Sequence, residues 1–466
     1  MALDFAKRWA LVSAIALALT GMVGCGDDDP PANNPDSGVT ADASTSEDAA
    51  TTGDAAVLPS LVEIAAGNPD FSMLVAAATR AGLVTTLSTG EFTIFAPTNA
   101  AFTASGITMA MLEAMPVESL TGILTYHAVQ GTVLSTDLEA GPVTSVAMLS
   151  LIVGTEGGAK LNGGNTVTGG ANVVTADILA RNGVVHVIDR VLLPPTVADL
   201  ARYAGLTQLA GAVESAELDD DLAGTGPFTV FAPTNDAFDD LATVPEGEAL
   251  ANVLLYHVVG ARVPAASVPA KASSLSQNQY DDNLTLLFST TSGVRINGSA
   301  TVVIADVFAT NGVVHVIDEV LLPMNAVDAA TAAGLTGLTG AVGEAADIDA
   351  ETSVADALSA QAPYTIFAPT NAAFTAIEAT IDTLTPAQIR DILLYHVLDT
   401  TVFVTPVLAA DLPTATTELK TLNGANATLV PTTTPPTIEG ADIVTTDIVV
   451  TNGVIHLIDA VILPPT

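Results

Sequence analysis

TIFAPTNAAF, residues Thr93–Phe102, returns as TVFAPTNDAF at Thr229–Phe238 and again as TIFAPTNAAF at Thr365–Phe374. Successive copies start 136 residues apart, a period far longer than the roughly 20–50 residues of a solenoid repeat and suited to a whole domain. The alternation Thr-Ile-Phe-Ala predicts a short strand, ended by Pro97, Pro233 or Pro369 because proline cannot donate to a ladder. The next residue, Thr98, Thr234 or Thr370, is a good N-cap. It predicts a short helix that carries Phe102, Phe238 or Phe374 into the core.

Two further landmarks follow each copy in the same order. The first is a Tyr-His pair: Tyr126-His127, Tyr256-His257 and Tyr395-His396. Leu120, Ile123, Leu124 and His127 fall at i, i+3, i+4 and i+7, as do Leu250, Val253, Leu254 and His257, and Ile389, Ile392, Leu393 and His396. Each histidine is therefore predicted on the apolar stripe of a helix near its C-terminal end, with Pro116, Pro245 or Pro386 at the start. The second landmark is NGVVHVID at Asn182 and Asn311 and NGVIHLID at Asn452. It reads as the second strand of a hairpin with an Asn-Gly turn, apolar enough to be buried on both faces. All six histidines of the chain lie in these landmarks, two per copy: His127 with His186, His257 with His315, and His396 with His456.

Taken together, F-A-P-T-N-x-A-F, the Tyr-His pair and N-G-V-[VI]-H-[VL]-I-D running into V-L-L-P or V-I-L-P resemble the signature segments of the fasciclin domain. The resemblance implies an α+β fold of tandem fasciclin-like domains, each a seven-stranded, wedge-like β-sandwich with flanking short helices. The domains are expected at residues 58–196, 197–325 and 326–466, joined through Pro194-Pro195-Thr196 and Pro323-Met324-Asn325. In animal members adhesion is associated with an Asp-Ile pair ahead of the Asn-Gly turn and with the Tyr-His segment. The matching positions are Asp177-Ile178, Asp306-Val307 and Asp447-Ile448, the second departing by its valine, beside the three Tyr-His pairs. The apolar stripe gives those tyrosines and histidines a mainly structural reading instead.

Catalysis finds little support in the residue pattern. His186 and Asp189 are three apart on a strand and point to opposite faces, so they cannot form a dyad. No G-x-S-x-G, H-E-x-x-H, Walker loop or G-x-G-x-x-G occurs, and no cofactor is expected. Two histidines and an aspartate per copy could meet and bind a metal; the apolar surroundings of His127 favour buried, hydrogen-bonded groups. The acidic runs Asp219-Asp220-Asp221, Asp239-Asp240 and Asp281-Asp282 lack the alternating ligand order of a calcium loop and read as solvated surface.

Of the 466 residues, 51 are acidic and 12 basic, for a formal net charge of −39. With no basic stripe to neutralise phosphates, nucleic acid is not an expected partner. After residue 25 no apolar run reaches the ~18 residues needed to span a bilayer. The N-terminus is different: Lys7 and Arg8 precede the apolar run LVSAIALALTGMV, and Gly24 precedes Cys25, the single cysteine. Residues 1–24 have the order of a removable bacterial export signal. Cys25 then resembles the acylated cysteine of a lipoprotein, although a secreted protein with an idle cysteine has the same pattern. Two or three acyl chains would anchor it stably, each buried methylene contributing about 0.8 kcal/mol.

Residues 25–57 carry eight acidic and no basic residues and read as a self-repelling tether. The net charge is −8 for the tether and −6, −12 and −14 for the three domains in order. The expected protein is a non-enzymatic lipoprotein of a bacterial envelope, attached to the outer membrane through its N-terminal lipid. It would bind an extracellular protein or polysaccharide. The alternative is carriage of an apolar small molecule such as a carotenoid, for which the 4% aromatic content offers little to stack on.

Overall fold

The computed structural model describes residues 58–164, 169–345 and 354–465. Cys25, the expected signal and the tether lie outside these. By its contacts the chain divides after Pro194, so the first domain is one unit and the second and third together are another.

In the first domain the decapeptide strand is β1 (Phe92–Pro97), followed by β2 (Ala128–Gln130), β3 (Gly141–Thr144), β4 (Ser150–Gly154), β5 (Lys160–Leu161), β6 (Ala171–Ala180) and β7 (Gly183–Ile188). They form one sheet in the order β2-β1-β7-β6-β5-β4-β3. β1 and β7 run parallel, with Phe95 opposite His186, and β6 and β7 form an antiparallel hairpin. All six residues of β7 are buried. One core, with Phe71, Leu74, Phe102, Leu120 and Val185, lies on the side of the helices. The other, with Phe95, Tyr126, Leu151, Leu161 and Ile188, lies inside the curved sheet. Fully burying one such side chain contributes roughly 1.5–3 kcal/mol, and β7 serves both cores, with Val185 in one and Ile188 in the other.

The second domain repeats this with β8 (Phe228–Pro233), β9 (Val258–Val259), β10 (Lys271–Gln277), β11 (Asn283–Ser289), β12 (Arg295–Ile296), β13 (Ala300–Ala309) and β14 (Gly312–Ile317). Here β9 also pairs with β10, so the seven strands close into a barrel. The third domain has β15 (Tyr364–Pro369), β16 (Thr417–Lys420), β17 (Asn426–Val430), β18 (Thr437–Ile438), β19 (Ala441–Val450) and β20 (Gly453–Ile458). Its sheet has six strands where seven were expected. The strand after the Tyr-His pair is reduced there to two isolated bridges, Ile366 with Val397 and Leu398 with Thr421.

Local chemistry explains most elements. Thr98, Thr234 and Thr370 each accept the amide three residues on, capping a short helix as predicted. Phe102 and Phe238 are buried, but Phe374 is only half-buried, on a helix that runs on to Ile381. Pro116 caps and Pro386 opens the helix leading to the Tyr-His pair. In the second copy that helix begins at Gly247, so Pro245 stands outside it.

The hairpin turn also differs from its sequence reading. Ala180 pairs with Gly183, so the two turn residues are Arg181 and Asn182, and the glycine already belongs to β7. A Cβ at Gly183, at φ +141°, would collide with the carbonyl of Phe92 on β1. The glycine therefore serves the approach of two strands rather than the turn. Among the described residues no helix is long and apolar enough to cross a membrane.

Candidate functional site

The Asp-Ile positions sit at a β-bulge. In each copy the register of the long hairpin strand shifts just before the aspartate. Asp177, Asp306 and Asp447 take φ of +60°, +57° and +55°, a left-handed conformation that aspartate tolerates better than most residues. The bulge turns each carboxylate onto a neighbouring loop. Asp177 accepts the amide of Ser135 at 2.8 Å and also its hydroxyl. Asp306 accepts the amide of Ala265 at 2.9 Å, and Asp447 that of Ala409 at 2.7 Å. The two hydrogen bonds from Ser135 hold the Asp177 carboxyl below the usual carboxylate range.

The aliphatic partner points the other way. Ile178 is half-buried against the helix-side core, and Val307 and Ile448 are 4% and 3% exposed. Of the six candidate adhesion residues, only Asp177 is exposed.

Behind each bulge stands the histidine of the second landmark. The amides of Asp177, Asp306 and Asp447 donate to Nδ1 of His186, His315 and His456 at 3.3, 3.2 and 3.2 Å. The Nε2 of these histidines then carries the proton and donates to the carbonyls of Val133, Val263 and Val407, each at 2.9 Å. Burial pushes the pKa of His315 and His456 down. Asp189 takes no part: it accepts the backbone and side-chain amides of Asn172 at 2.7 and 2.8 Å.

The histidines of the Tyr-His pairs hold the opposite tautomer. Nδ1 of His127, His257 and His396 donates to the carbonyls of Ile123, Val253 and Ile392, each at 2.8 Å. Nε2 accepts the amides of Leu192, Leu321 and Ile462 at 2.9, 2.8 and 3.1 Å. Desolvation pushes all three down to about 4. Every ring nitrogen of the six histidines is thus engaged by main chain, leaving none poised to take a proton from a substrate. The adjacent tyrosines are buried in the sheet-side core, their hydroxyls donating to the carbonyls of Ser150, Thr285 and Asn426 at 3.0, 3.0 and 2.8 Å. Among the described residues no three histidines, cysteines or carboxylates gather as a metal site.

Two groups of residues escaped the sequence reading. The turn asparagine is a hub: Asn182 accepts the amide of Leu61 at 3.0 Å and donates to the carbonyls of Leu87 and Gly90 at 2.9 and 2.8 Å. Asn311 does the same with Val197, Leu222 and Gly224, and Asn452 with Ala326, Leu358 and Ala360. The only sequence signal is its presence in all three copies. The other group joins the second and third domains. Lys271 on β10 donates to the carbonyls of Thr446 and Asp447. Thr285 on β11 accepts the amide of Val449 at 2.9 Å, and Asn278 donates to the carbonyl of Val450 at 3.3 Å. Val449 and Val454 complete the core around Phe231 and Tyr256.

An apolar recess recurs between the N-terminal helices and the sheet, walled in part by the Tyr-His histidine. It measures about 90 Å³ in the first domain, 20 Å³ in the second and 210 Å³ in the third. A dry cavity of about 150 Å³ takes a benzene-sized guest, and drug-sized ligands occupy roughly 300–1,000 Å³.

The fasciclin domain model matches residues 69–194, 204–323 and 343–464. Protein sll1483 of Synechocystis sp. is 44% identical over 139 residues, 29% of this chain and 74% of that protein. Human periostin is 29% identical over 332 residues, 66% of this chain but only 36% of periostin's length. Among solved structures, a domain pair from the insect cell adhesion molecule fasciclin I matches with a TM-score of 0.34 and 21% identity, over 56% of this chain and 95% of that one. With its three signature segments, three sheets and three family matches in register, the chain belongs to the fasciclin domain family.

Proposed function

We propose that this protein is a lipid-anchored, non-enzymatic adhesion or matrix-binding protein of a bacterial cell envelope. The observation that carries the non-enzymatic part is the engagement of all six histidines by backbone groups, which makes them structural pins. Adhesion is supported by the family and by the tandem arrangement, since linked weak sites gain avidity through effective concentration. Anchoring rests on Cys25 behind its apolar segment, and the partner class is an extracellular protein or polysaccharide. The test compares wild-type cells with a Cys25→Ser strain by fatty-acid labelling, protease shaving of intact cells and surface attachment. Labelling and attachment that both depend on Cys25 support the reading. Unlabelled protein, or attachment unchanged by deleting the gene, overturns it.

A second reading, carriage of an apolar small molecule, has the recess of the third domain in its favour. At about 210 Å³ that recess suits a benzene-sized group or short alkyl chain rather than a carotenoid. A visible absorption band in the purified protein would reverse that preference.

A further inference from the structure

The joint between the second and third domains uses an open strand edge. Beyond Asp442, β19 has β20 on one side and, among the described residues, no strand on the other. The second domain fills that vacancy with the ammonium of Lys271 on two carbonyls, the hydroxyl of Thr285 on the amide of Val449, and apolar contact. β6 of the first domain has the same register and the same open edge, from Val173 to Ala180. There the carbonyls of Ala176 and Asp177 and the amide of Leu179 correspond to the groups that Lys271 and Thr285 satisfy in β19. Leu179 is 51% exposed, whereas Val449, its counterpart in the joint, is 8% exposed.

The opposite face behaves differently. Where the second domain presents Lys271, Thr285 and Leu287, the same ladder positions of the third carry Glu418, Asn426 and Thr428. Glu418 and Asn426 are exposed and hydrogen-bonded to each other at 2.9 Å. A carboxylate there would meet backbone carbonyl oxygens and repel them, so this face works as a polar cap, as in terminal repeats of other arrays.

We infer that the β6 edge of the first domain is an open docking site for a sheet face carrying a lysine and a threonine on another molecule, a face of the kind β10 and β11 present. Copies of this chain are barred from stacking end to end by Glu418 and Asn426. This rests on the joint between the second and third domains and requires neither lipidation nor adhesion.

The test builds the missing face onto the full chain. A Glu418→Lys, Asn426→Thr, Thr428→Leu variant that also carries Leu179→Glu has a donor face and a blocked edge. Mixed with wild-type protein it should form a complex, seen as a rise in mass in sedimentation, that is lost when the partner is instead the Leu179→Glu chain. Without Leu179→Glu the same variant should form open chains. A folded donor variant that leaves the wild-type mass unchanged overturns the inference, as does wild-type protein that already forms chains. Hydrogen exchange on the unmodified protein gives an independent reading. The Leu179 amide should exchange far faster than that of Val449, and equal protection would overturn an open edge.

Discussion

The hydroxyl of Thr285 in the second domain accepts the amide of Val449 in the third at 2.9 Å, with both residues buried. A hydroxyl thereby satisfies an edge amide that no neighbouring strand reaches. Thr285→Val keeps the shape and removes the acceptor, leaving a buried N–H unpaired at a cost of about 1–3 kcal/mol. That loss falls on the joint and not on either core. The wild-type second and third domains should melt together, and the variant should show a separate, earlier transition by calorimetry. One unchanged transition would mean that apolar contact alone couples them.

The turn asparagines should be among the most sensitive polar positions. Asn182→Ala releases three backbone groups at once, the amide of Leu61 and the carbonyls of Leu87 and Gly90. At about 1 kcal/mol per hydrogen bond the first domain should lose roughly 3 kcal/mol in urea titration. Asn182→Asp keeps the acceptor but turns a carboxylate oxygen toward two carbonyls, so it should fare no better. A loss below 0.5 kcal/mol, the range of ordinary surface substitutions, would remove the hub role.

These two cases show where the sequence was legible and where it was not. Strand, cap and helix-stripe patterns are local, so β1, the Thr98 cap and the burial of His127 could be read from spacing alone. Asn182 was read as a turn residue because Asn-Gly is a strong hairpin signal. Its actual partners are 92–121 residues away, beyond any local pattern. The Asp177 bulge was equally invisible, since one extra residue in a strand leaves no periodicity of its own. Lys271 looked like any lysine, and only the assembled second and third domains give it two carbonyls to hold.

The three Tyr-His histidines predict an acid-sensitive fold. Each is held neutral at a pKa of about 4 against 6.5 for the free side chain. Between those values the unfolded chain binds more protons, so stability is complete above pH 6.5 and falls as pH drops toward 4. At 1.36 kcal/mol per pKa unit, one histidine accounts for about 3 kcal/mol across that window. His127→Gln should lower stability at pH 7 and also flatten the pH dependence of the first domain by one proton's worth. An unchanged slope between pH 6.5 and 4.5 would show that His127 does not titrate on unfolding.

Asp177 separates the shape of the bulge from its charge. Its left-handed φ disfavours alanine by about 1–2 kcal/mol relative to glycine, while asparagine accepts that conformation and can still accept the Ser135 amide. Protection of the Ser135 amide should therefore fall in the order wild type, Asp177→Asn, Asp177→Gly, Asp177→Ala. The carboxyl is held below its usual range by Ser135, so the latch is complete above about pH 4 and weakens as pH falls through the folded value. Attachment measured on the same series assigns the role. If attachment follows Ser135 protection, Asp177 acts by positioning the loop. If Asp177→Asn keeps the amide protected yet abolishes attachment, the carboxylate itself meets the partner, which must then bring a cation to an otherwise acidic surface.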